Sequence, residues 1–303
     1  MSLLSDTQGT PERVWSLLRL LGATGGAASF ADINAWMNPE VRGGPADRDS
    51  QGALRQTIGA AVSLGFVEIA GRNQYRLTAD LPQSLGGFAD LVHGRLASAG
   101  SDDADSVMFE AYGAAVALTE KHGGTTWIGR TRTDVAGEID HALRPAEDRD
   151  GERRFNSTKF APWVRWMTFL GLGYDVPVAG GRTAFFPYPA ERLSRELTAL
   201  TEDLLPGREH ETDTALPLLS RRMPYLDGGR FFLDAAERLA VSLPPRNLTR
   251  VLSGALRDLH DDDRLRLAIL GDTASAYTLG RDPAHPLRAF RTILIRAPEA
   301  ADA

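Results

Sequence analysis

Apolar residues recur at helical spacing in two short stretches at the start of the chain. The first stretch begins at Pro11 and stops at Gly22, and its apolar residues fall at i, i+3, i+4 and i+7: Val14, Leu17, Leu18 and Leu21. A second helix is predicted over Phe30–Met37, because Ser29 is a favourable N-cap and the residue before Pro39 is pushed out of helical geometry. The chain therefore opens with two short amphipathic helices.

A third helix and a hairpin are predicted next. The helix runs from Ser50 to Gly65, with Leu54, Ile58, Ala61 and Val62 on one face. Residues 66–78 then form two short strands around a turn at 71–73. This order, and the segment AAVSLGFVEIAGRNQYRLT that joins helix to hairpin, resemble the winged helix-turn-helix superfamily over residues 11–82. The resemblance implies that the third helix enters the major groove of DNA and that the hairpin, or wing, contacts phosphate.

A similar order of elements follows in the middle of the chain. Helices are predicted over residues 105–121 and 133–143, and a third helix starts at Ser157. The segment LGLGYDVPVAGGRTAFFPYP then passes from Leu170 and Gly171 into a second hairpin. The middle of the chain therefore repeats the first unit in architecture rather than in aligned residues.

The last part of the chain has a helical stripe and several strand patterns. The stripe consists of Leu248, Val251, Leu252, Ala255, Leu256 and Leu259. Strands are predicted over residues 265–270, 276–279 and 287–296. Between the second and third parts lie a predicted helix over residues 190–205 and the acidic segment 206–213, the best linker candidate.

These patterns predict a mainly α fold with small β-hairpins, arranged as tandem winged-helix units. The expected domains are unit 1 over residues 1–82, unit 2 over 83–189, and a linker helix with a third winged-helix-like unit over 190–303. The three hairpins should begin near Gly65, Gly171 and Arg264.

Composition narrows the function classes. The chain has 303 residues, 43% of them hydrophobic, and no cysteine, which excludes disulfides and thiolate chemistry. The six histidines are scattered, and no phosphate-binding glycine loop or nucleophile elbow is present, so we expect a protein that is not an enzyme and needs no cofactor or metal. The start lacks a leader pattern, and Arg165 breaks the longest apolar stretch, so we expect a cytoplasmic protein without a membrane contact.

Nucleic-acid binding must rest on local charge, because the formal net charge is -6. The basic residues are arginine except for Lys121 and Lys159, a bias that a G+C-rich genome also produces. Candidate DNA-binding residues lie at the starts of the third helices and in the wings. They are Arg48, Gln51, Arg55, Arg72 and Arg76 in unit 1; Arg153, Arg154, Asn156, Ser157, Thr158, Lys159 and Arg182 in unit 2; and Arg246, Asn247 and Arg250 in unit 3.

Unit 2 has the largest excess of basic over acidic residues, so we predict that its third helix dominates binding. The alternative is that Arg153 and Arg154 only form ion pairs with acidic residues in a solvated loop. Winged helices also serve as protein-binding modules. A scaffold or adaptor that does not bind DNA, and a transcription regulator, therefore remain alternatives to a double-stranded DNA-binding protein.

The opening segment MSLLSDTQGTPERVWSLLRLL, leading into a winged helix in a three-part chain, resembles the DpdG-type proteins. Such proteins are encoded with bacterial 7-deazaguanine DNA-modification and restriction genes. The resemblance implies an accessory role in a DNA-modification or antiviral defence complex, with helicase or ATPase components as partner proteins. It assigns no catalytic residues to this chain.

Overall fold

The computed structural model describes residues 2–38, 48–100, 102–145, 154–200, 202–269 and 275–296, with residues 48–50 described by their backbone only. The chain forms two compact units. The first contains Met1–Met108 and Ser157–Leu170, and the second contains Phe109–Asn156 and Gly171–Ala303. The boundaries of the three predicted domains are not tested by this division and stay a prediction.

The fold is mainly α with small antiparallel strand pairs, which confirms the predicted class. In chain order the elements are α1 (Pro11–Ala23), β1 (Ala27–Ser29), α2 (Phe30–Met37), α3 (Arg48–Ser63), β2 (Val67–Gly71), β3 (Gln74–Leu77), α4 (Leu85–Ser98), α5 (Val107–Lys121), α6 (Arg132–Ala142), α7 (Ser157–Phe169), β4 (Gly173–Val178), β5 (Arg182–Pro187), α8 (Ala190–Ala199), β6 (Glu209–Glu211), α9 (Thr212–Arg222), α10 (Arg230–Arg238), α11 (Arg250–Asp261), β7 (Leu265–Ala268), β8 (Tyr277–Thr278), β9 (Ala289–Phe290) and β10 (Thr292–Ile295).

The first compact unit contains the predicted three helices and hairpin, together with an unpredicted strand. Strand β1 pairs with β3, so the sheet order is β1-β3-β2 and all pairs are antiparallel. A three-residue strand shows too little alternation to be recognised in a sequence. The apolar stripe of α1 is fully buried, and the Phe88 ring of α4 lies 5.2 Å from Trp15 and 5.6 Å from Phe169. Helices α1, α4 and α7 therefore share one aromatic core.

The C-terminal part of the second unit, residues 190–295, contains a sheet that differs from the prediction. The acidic segment expected to be a linker contributes β6, which pairs with β10. The expected return strand near Tyr277 pairs with β9, whereas β7 pairs with β10. Ile293 and Ile295 of β10 are buried, so apolar burial favours this more distant pairing.

The first compact unit and the C-terminal part share one topology. In each, a helix is followed by a strand, helices and two strands, and the sheet order β6-β10-β7 repeats β1-β3-β2. Matching backbone hydrogen bonds join the second helix to the last strand: Phe30 N donates to Asn73 O, and Thr212 N donates to Arg291 O, both at 2.9 Å. The C-terminal part differs by the extra helix α10 and by the β8–β9 insertion.

A left-handed residue lies between a helix and the following strand in all three parts of the chain. Gly65, Gly171 and Asp263 have φ values of 69°, 74° and 53°. Glycine adopts this conformation without strain, and aspartate tolerates it better than most residues. The strands β2, β4 and β7 begin next to these residues, which confirms the predicted starts of the first two hairpins; β7 starts where the third hairpin was predicted, but it pairs with the distant strand β10.

Two carboxylates bind the N-terminus of α11. The Thr249 amide and hydroxyl donate to the Asp227 carboxylate at 2.7 and 2.6 Å, and the Arg250 amide donates to Glu120. Burial of the carboxyl group, with the nearby charge of Glu120, raises the pKa of Asp227 to about 6 despite these hydrogen bonds.

We therefore expect Asp227 to make stability fall as the pH rises from about 4 to about 6, because an unfolded aspartate has already ionised near pH 3.9. Asp227→Asn keeps an acceptor for the Thr249 amide and removes the ionisation. The free energy of unfolding of the variant relative to wild type should rise by roughly 1–2 kcal/mol across this window. Urea denaturation at pH 4 and pH 7 measures the difference, and equal differences at both pH values would contradict it.

Candidate nucleic-acid interface

One exposed surface of the first compact unit brings together a helix, the start of another helix and a turn. The Arg55 guanidinium of α3 lies over the Phe30 ring, 4.5 Å from its centroid. Phe30 is the first residue of α2, and its amide donates to Asn73 O in the turn between β2 and β3. We call this the α3–turn surface, and its residues are Gln51, Gly52, Arg55, Arg72 and Asn73.

The opposite side of α3 is fixed by the segment that precedes α1. Gln56 Oε1 accepts from the Gln8 amide at 2.8 Å. A Cβ atom on Gly59 would lie 2.6 Å from Asp6 Oδ2, so glycine permits this close approach. Thr57 is fully buried and accepts a hydrogen bond from Arg13 Nε at 3.1 Å. This packing leaves the face with Gly52 and Arg55 exposed to solvent.

The α3–turn surface carries two cations that acidic side chains do not neutralise. Arg55 and Arg72 are both exposed, and neither forms an ion pair with any carboxylate among the described residues. Arg76, in contrast, donates from Nε to Glu68 Oε1 at 2.6 Å. Arg48 begins α3, but its side chain lies outside the described residues. Of the predicted unit 1 residues, Gln51, Arg55 and Arg72 thus share one open surface.

Phe30 was missed in the sequence because nothing local distinguishes an aromatic residue that supports an arginine from a core residue. Asn73 has a φ of 58°, a conformation that asparagine tolerates better than most residues. The dipeptide Arg72–Asn73 therefore forms a tight turn whose backbone contacts the start of α2 through Asn73 O and Phe30 N.

The predicted residues of unit 2 have other partners. Arg154 donates to both oxygens of Glu110 at 2.6 and 3.0 Å, and only 17% and 11% of these side chains are exposed. One acidic partner of Arg154 is thus in α5, 44 residues away in the sequence, whereas the acidic residues of the neighbouring loop lie outside the described residues. Arg182 donates to the carbonyl oxygens of Gly129 and Arg130.

The start of α7 contains the remaining described candidates of unit 2. Asn156, Ser157 and Lys159 are half-buried and Thr158 is exposed, whereas Arg153 lies outside the described residues. Counted from the left-handed residue, Ala161 of α7 occupies the position of Arg55 in α3. The described part of α7 therefore offers less exposed charge than the sequence predicted.

We expect Arg154→Ala to lower stability by roughly 1–2 kcal/mol, because a largely buried Glu110 loses its partner. If Arg154 acts only in this ion pair, the folded variant should keep its affinity for any duplex within about twofold. Arg132→Ala is a matched control, because Arg132 is exposed and forms no ion pair among the described residues. A large loss of duplex affinity for Arg154→Ala alone would restore its predicted DNA contact.

The predicted residues of unit 3 form contacts within the second compact unit. Arg246 donates to Ser275 O at 2.7 Å and to Asp213 at 3.0 Å. Asn247 forms a bridge with Thr278, and Arg250 pairs with Glu120 at 2.8 Å.

Helix α11 itself is covered by the β8–β9 insertion. Ser253, which corresponds to Arg55 of α3, is fully buried and accepts from the Gly280 amide at 2.7 Å. Arg257 is also buried and donates from Nε to Leu287 O at 3.2 Å. Helix α11 could enter the major groove of DNA only if the insertion were displaced. In this structure Arg246, Asn247 and Arg250 contact other residues of the protein.

Two further features bear on the class of site. Within the described ranges, no group of histidine, aspartate and glutamate residues is arranged to hold a metal ion. Over the same part of the chain, no helix combines the length and apolarity that a membrane crossing needs.

The fold and surface define a mainly α protein with small β-sheets and, on the α3–turn surface, two exposed arginines that have no carboxylate partner among the described residues. The chain belongs to the DpdG-like family, whose family model matches residues 1–273. This confirms the resemblance to DpdG-type proteins and suggests involvement in a DNA-modification cluster. No curated protein and no solved structure gives a significant match.

Proposed function

We propose that this chain is a non-enzymatic, double-stranded DNA-binding accessory protein of a bacterial DNA-modification or defence complex. Its first compact unit acts as a winged helix, with α3 in the major groove and the β2–β3 turn on the phosphate backbone. The observation that carries the proposal is the exposed pair Arg55 and Arg72 on one surface. Catalysis is left to partner proteins, such as helicase or ATPase components, in the cytoplasm.

Topology supports the winged-helix assignment. The order helix, strand, helix, helix, strand, strand and the sheet order β1-β3-β2 place α3 and the β2–β3 turn on one side of the unit. In a winged helix these two elements are the ones that contact a duplex. The hydrogen bond between Phe30 N and Asn73 O fixes the turn beside the helices.

Local charge supports a polyanion as the ligand. The formal charge of the whole chain is -6, so a polyanion must bind where acidic residues are absent. Arg55 and Arg72 form no ion pair with a carboxylate of the described residues, whereas Arg76, Arg154, Arg246 and Arg250 are paired with carboxylates. The proposal therefore assigns binding to the first compact unit, and replaces the prediction that unit 2 dominates.

A salt series with the purified full chain tests the proposal. Affinity for a 20-bp duplex of mixed sequence should fall with salt, because each phosphate contact releases counterions and contributes about 0.9 to the slope of log K against log salt. Two or more contacts predict a slope of about -1.8 or steeper. Failure to retain the duplex at low salt would overturn DNA binding and favour the adaptor alternative.

A further inference from the structure

We propose that Arg55 reads guanine in the major groove and that Arg72 contacts phosphate. This assignment rests on the proposed function and names the base that the α3–turn surface selects. It follows from the different surroundings of the two arginines, since both are exposed and both lack a carboxylate partner among the described residues.

Arg55 is held in an orientation that leaves its hydrogen-bond donors free for a ligand. The central carbon of its guanidinium lies over the Phe30 ring, 4.5 Å from the ring centroid. A phenyl ring has no conventional hydrogen-bond acceptor, so this contact leaves the forked N–H donors of Arg55 available to a ligand. The contact also restricts the side chain before binding, which reduces the entropy lost when it contacts a base.

The backbone of Phe30 is held by the N-terminal cap of α2 and by the β2–β3 turn. Ser29 caps α2 by accepting from the Asp32 amide at 3.2 Å, and the Phe30 amide donates to Asn73 O. The aromatic ring is therefore anchored to α2 and to the turn, and acts as a positioning residue for Arg55. Arg72 has no comparable aromatic support among the described residues. This suits a contact with phosphate, which does not select a base and needs no fixed orientation of the donors.

The neighbouring positions of α3 leave room for a base edge. Gly52, one turn before Arg55 on the exposed face, has open space around the position of a Cβ atom. Gln51 lies four residues before Arg55 and thus on the same side of the helix. A missing side chain next to a supported arginine lets the helix approach the groove floor, where guanine O6 and N7 accept a forked pair of hydrogen bonds.

The test compares three 20-bp duplexes at one salt concentration. The first contains only A·T pairs, the second carries a central block of G·C pairs, and the third is the second duplex methylated at guanine N7. Wild type should prefer the second duplex over the other two by about tenfold, which is within the range for one forked arginine–guanine contact. Methylation removes the N7 acceptor and adds a positive charge to the major-groove edge, two changes that both disfavour an arginine there, and it leaves the guanine amino group on the minor-groove edge in place.

Arg55→Lys is the decisive variant, because it keeps the charge and removes the fork. It should lose most of the preference for the second duplex, because a single ammonium group does not reproduce the planar fork, and its salt slope should be unchanged. Phe30→Leu should lose part of the preference, since Arg55 loses its aromatic support. Arg72→Lys is the matched control and should retain the full preference for the second duplex.

The outcomes separate this inference from the proposed function. Equal binding of all three duplexes by wild type, with a steep salt slope, would leave DNA binding intact and overturn guanine recognition. A preference of undiminished size in Arg55→Lys would also overturn it. Absence of binding to every duplex, or tighter binding to an RNA duplex of the same sequence, would instead overturn double-stranded DNA as the ligand.

Discussion

Replacing Arg55 and Arg72 together by alanine should weaken duplex binding by about 30-fold or more. Each arginine is exposed and lacks a carboxylate partner among the described residues, so each is available to the ligand. Loss of roughly 1 kcal/mol for each charge-assisted contact gives the expected factor. The slope of log K against log salt should also become shallower by about 0.9, because Arg72 is the residue assigned to phosphate. A change of about 1.8 would show that both arginines contact the backbone.

A control with the same charge change makes this result specific. Arg266 of β7 and Arg281 are both exposed and form no ion pair among the described residues, and both lie in the C-terminal part. Their double alanine variant should lose no more than about twofold in affinity. Equal losses in the two double variants would show that only net charge matters, which contradicts a binding surface at α3.

Replacing Glu196 by glutamine should lower the free energy of unfolding by roughly 2–4 kcal/mol, because a buried cation loses its compensating charge. Arg192 and Glu196 of α8 have only 1% and 6% of their side chains exposed, and Arg192 Nη1 lies 3.4 Å from Glu196 Oε1. Arg222 of α9 donates to the other oxygen of Glu196 at 2.6 Å. The substitution therefore affects the contact between two helices of the C-terminal part.

The matched control for Glu196→Gln is Arg222→Gln. Arg222 is 42% exposed, so its charge is solvated with or without the partner, and the expected loss is about 1 kcal/mol or less. Urea denaturation of both variants gives the comparison. Similar small losses would show that the charge of Arg192 is compensated without the Glu196 carboxylate.

Local signals in the sequence were sufficient for most helices and for the starts of the first two hairpins. The stripe of α1 and the capping residue Ser29 are local, and both helices form as predicted. The strands β1 and β6 were missed because each has three residues and gains its hydrogen bonds only from a distant strand. The pairing of β7 with β10 was missed because it depends on burial of the apolar side chains of β10, which is a tertiary effect.

The candidate surface was only partly predictable. The sequence identified Gln51, Arg55 and Arg72 from the expected third helix and wing. It did not reveal that Arg154 binds Glu110 or that Arg250 binds Glu120, because these partners are distant in the sequence. Covering of α11 by the β8–β9 insertion depends on tertiary contacts, and sequence periodicity alone does not distinguish a covered helix from an exposed one.

The most direct test of DNA binding by the α3–turn surface uses the absence of cysteine from the chain. A single cysteine introduced at exposed Gln74, beside the turn, can carry an iron chelate that cleaves nearby DNA. The same reagent at Arg266, on the corresponding sheet of the C-terminal part, is the control. We expect cleavage within a bound duplex from position 74 and little from position 266. Equal cleavage from both positions, or cleavage from position 266 alone, would contradict binding through this surface.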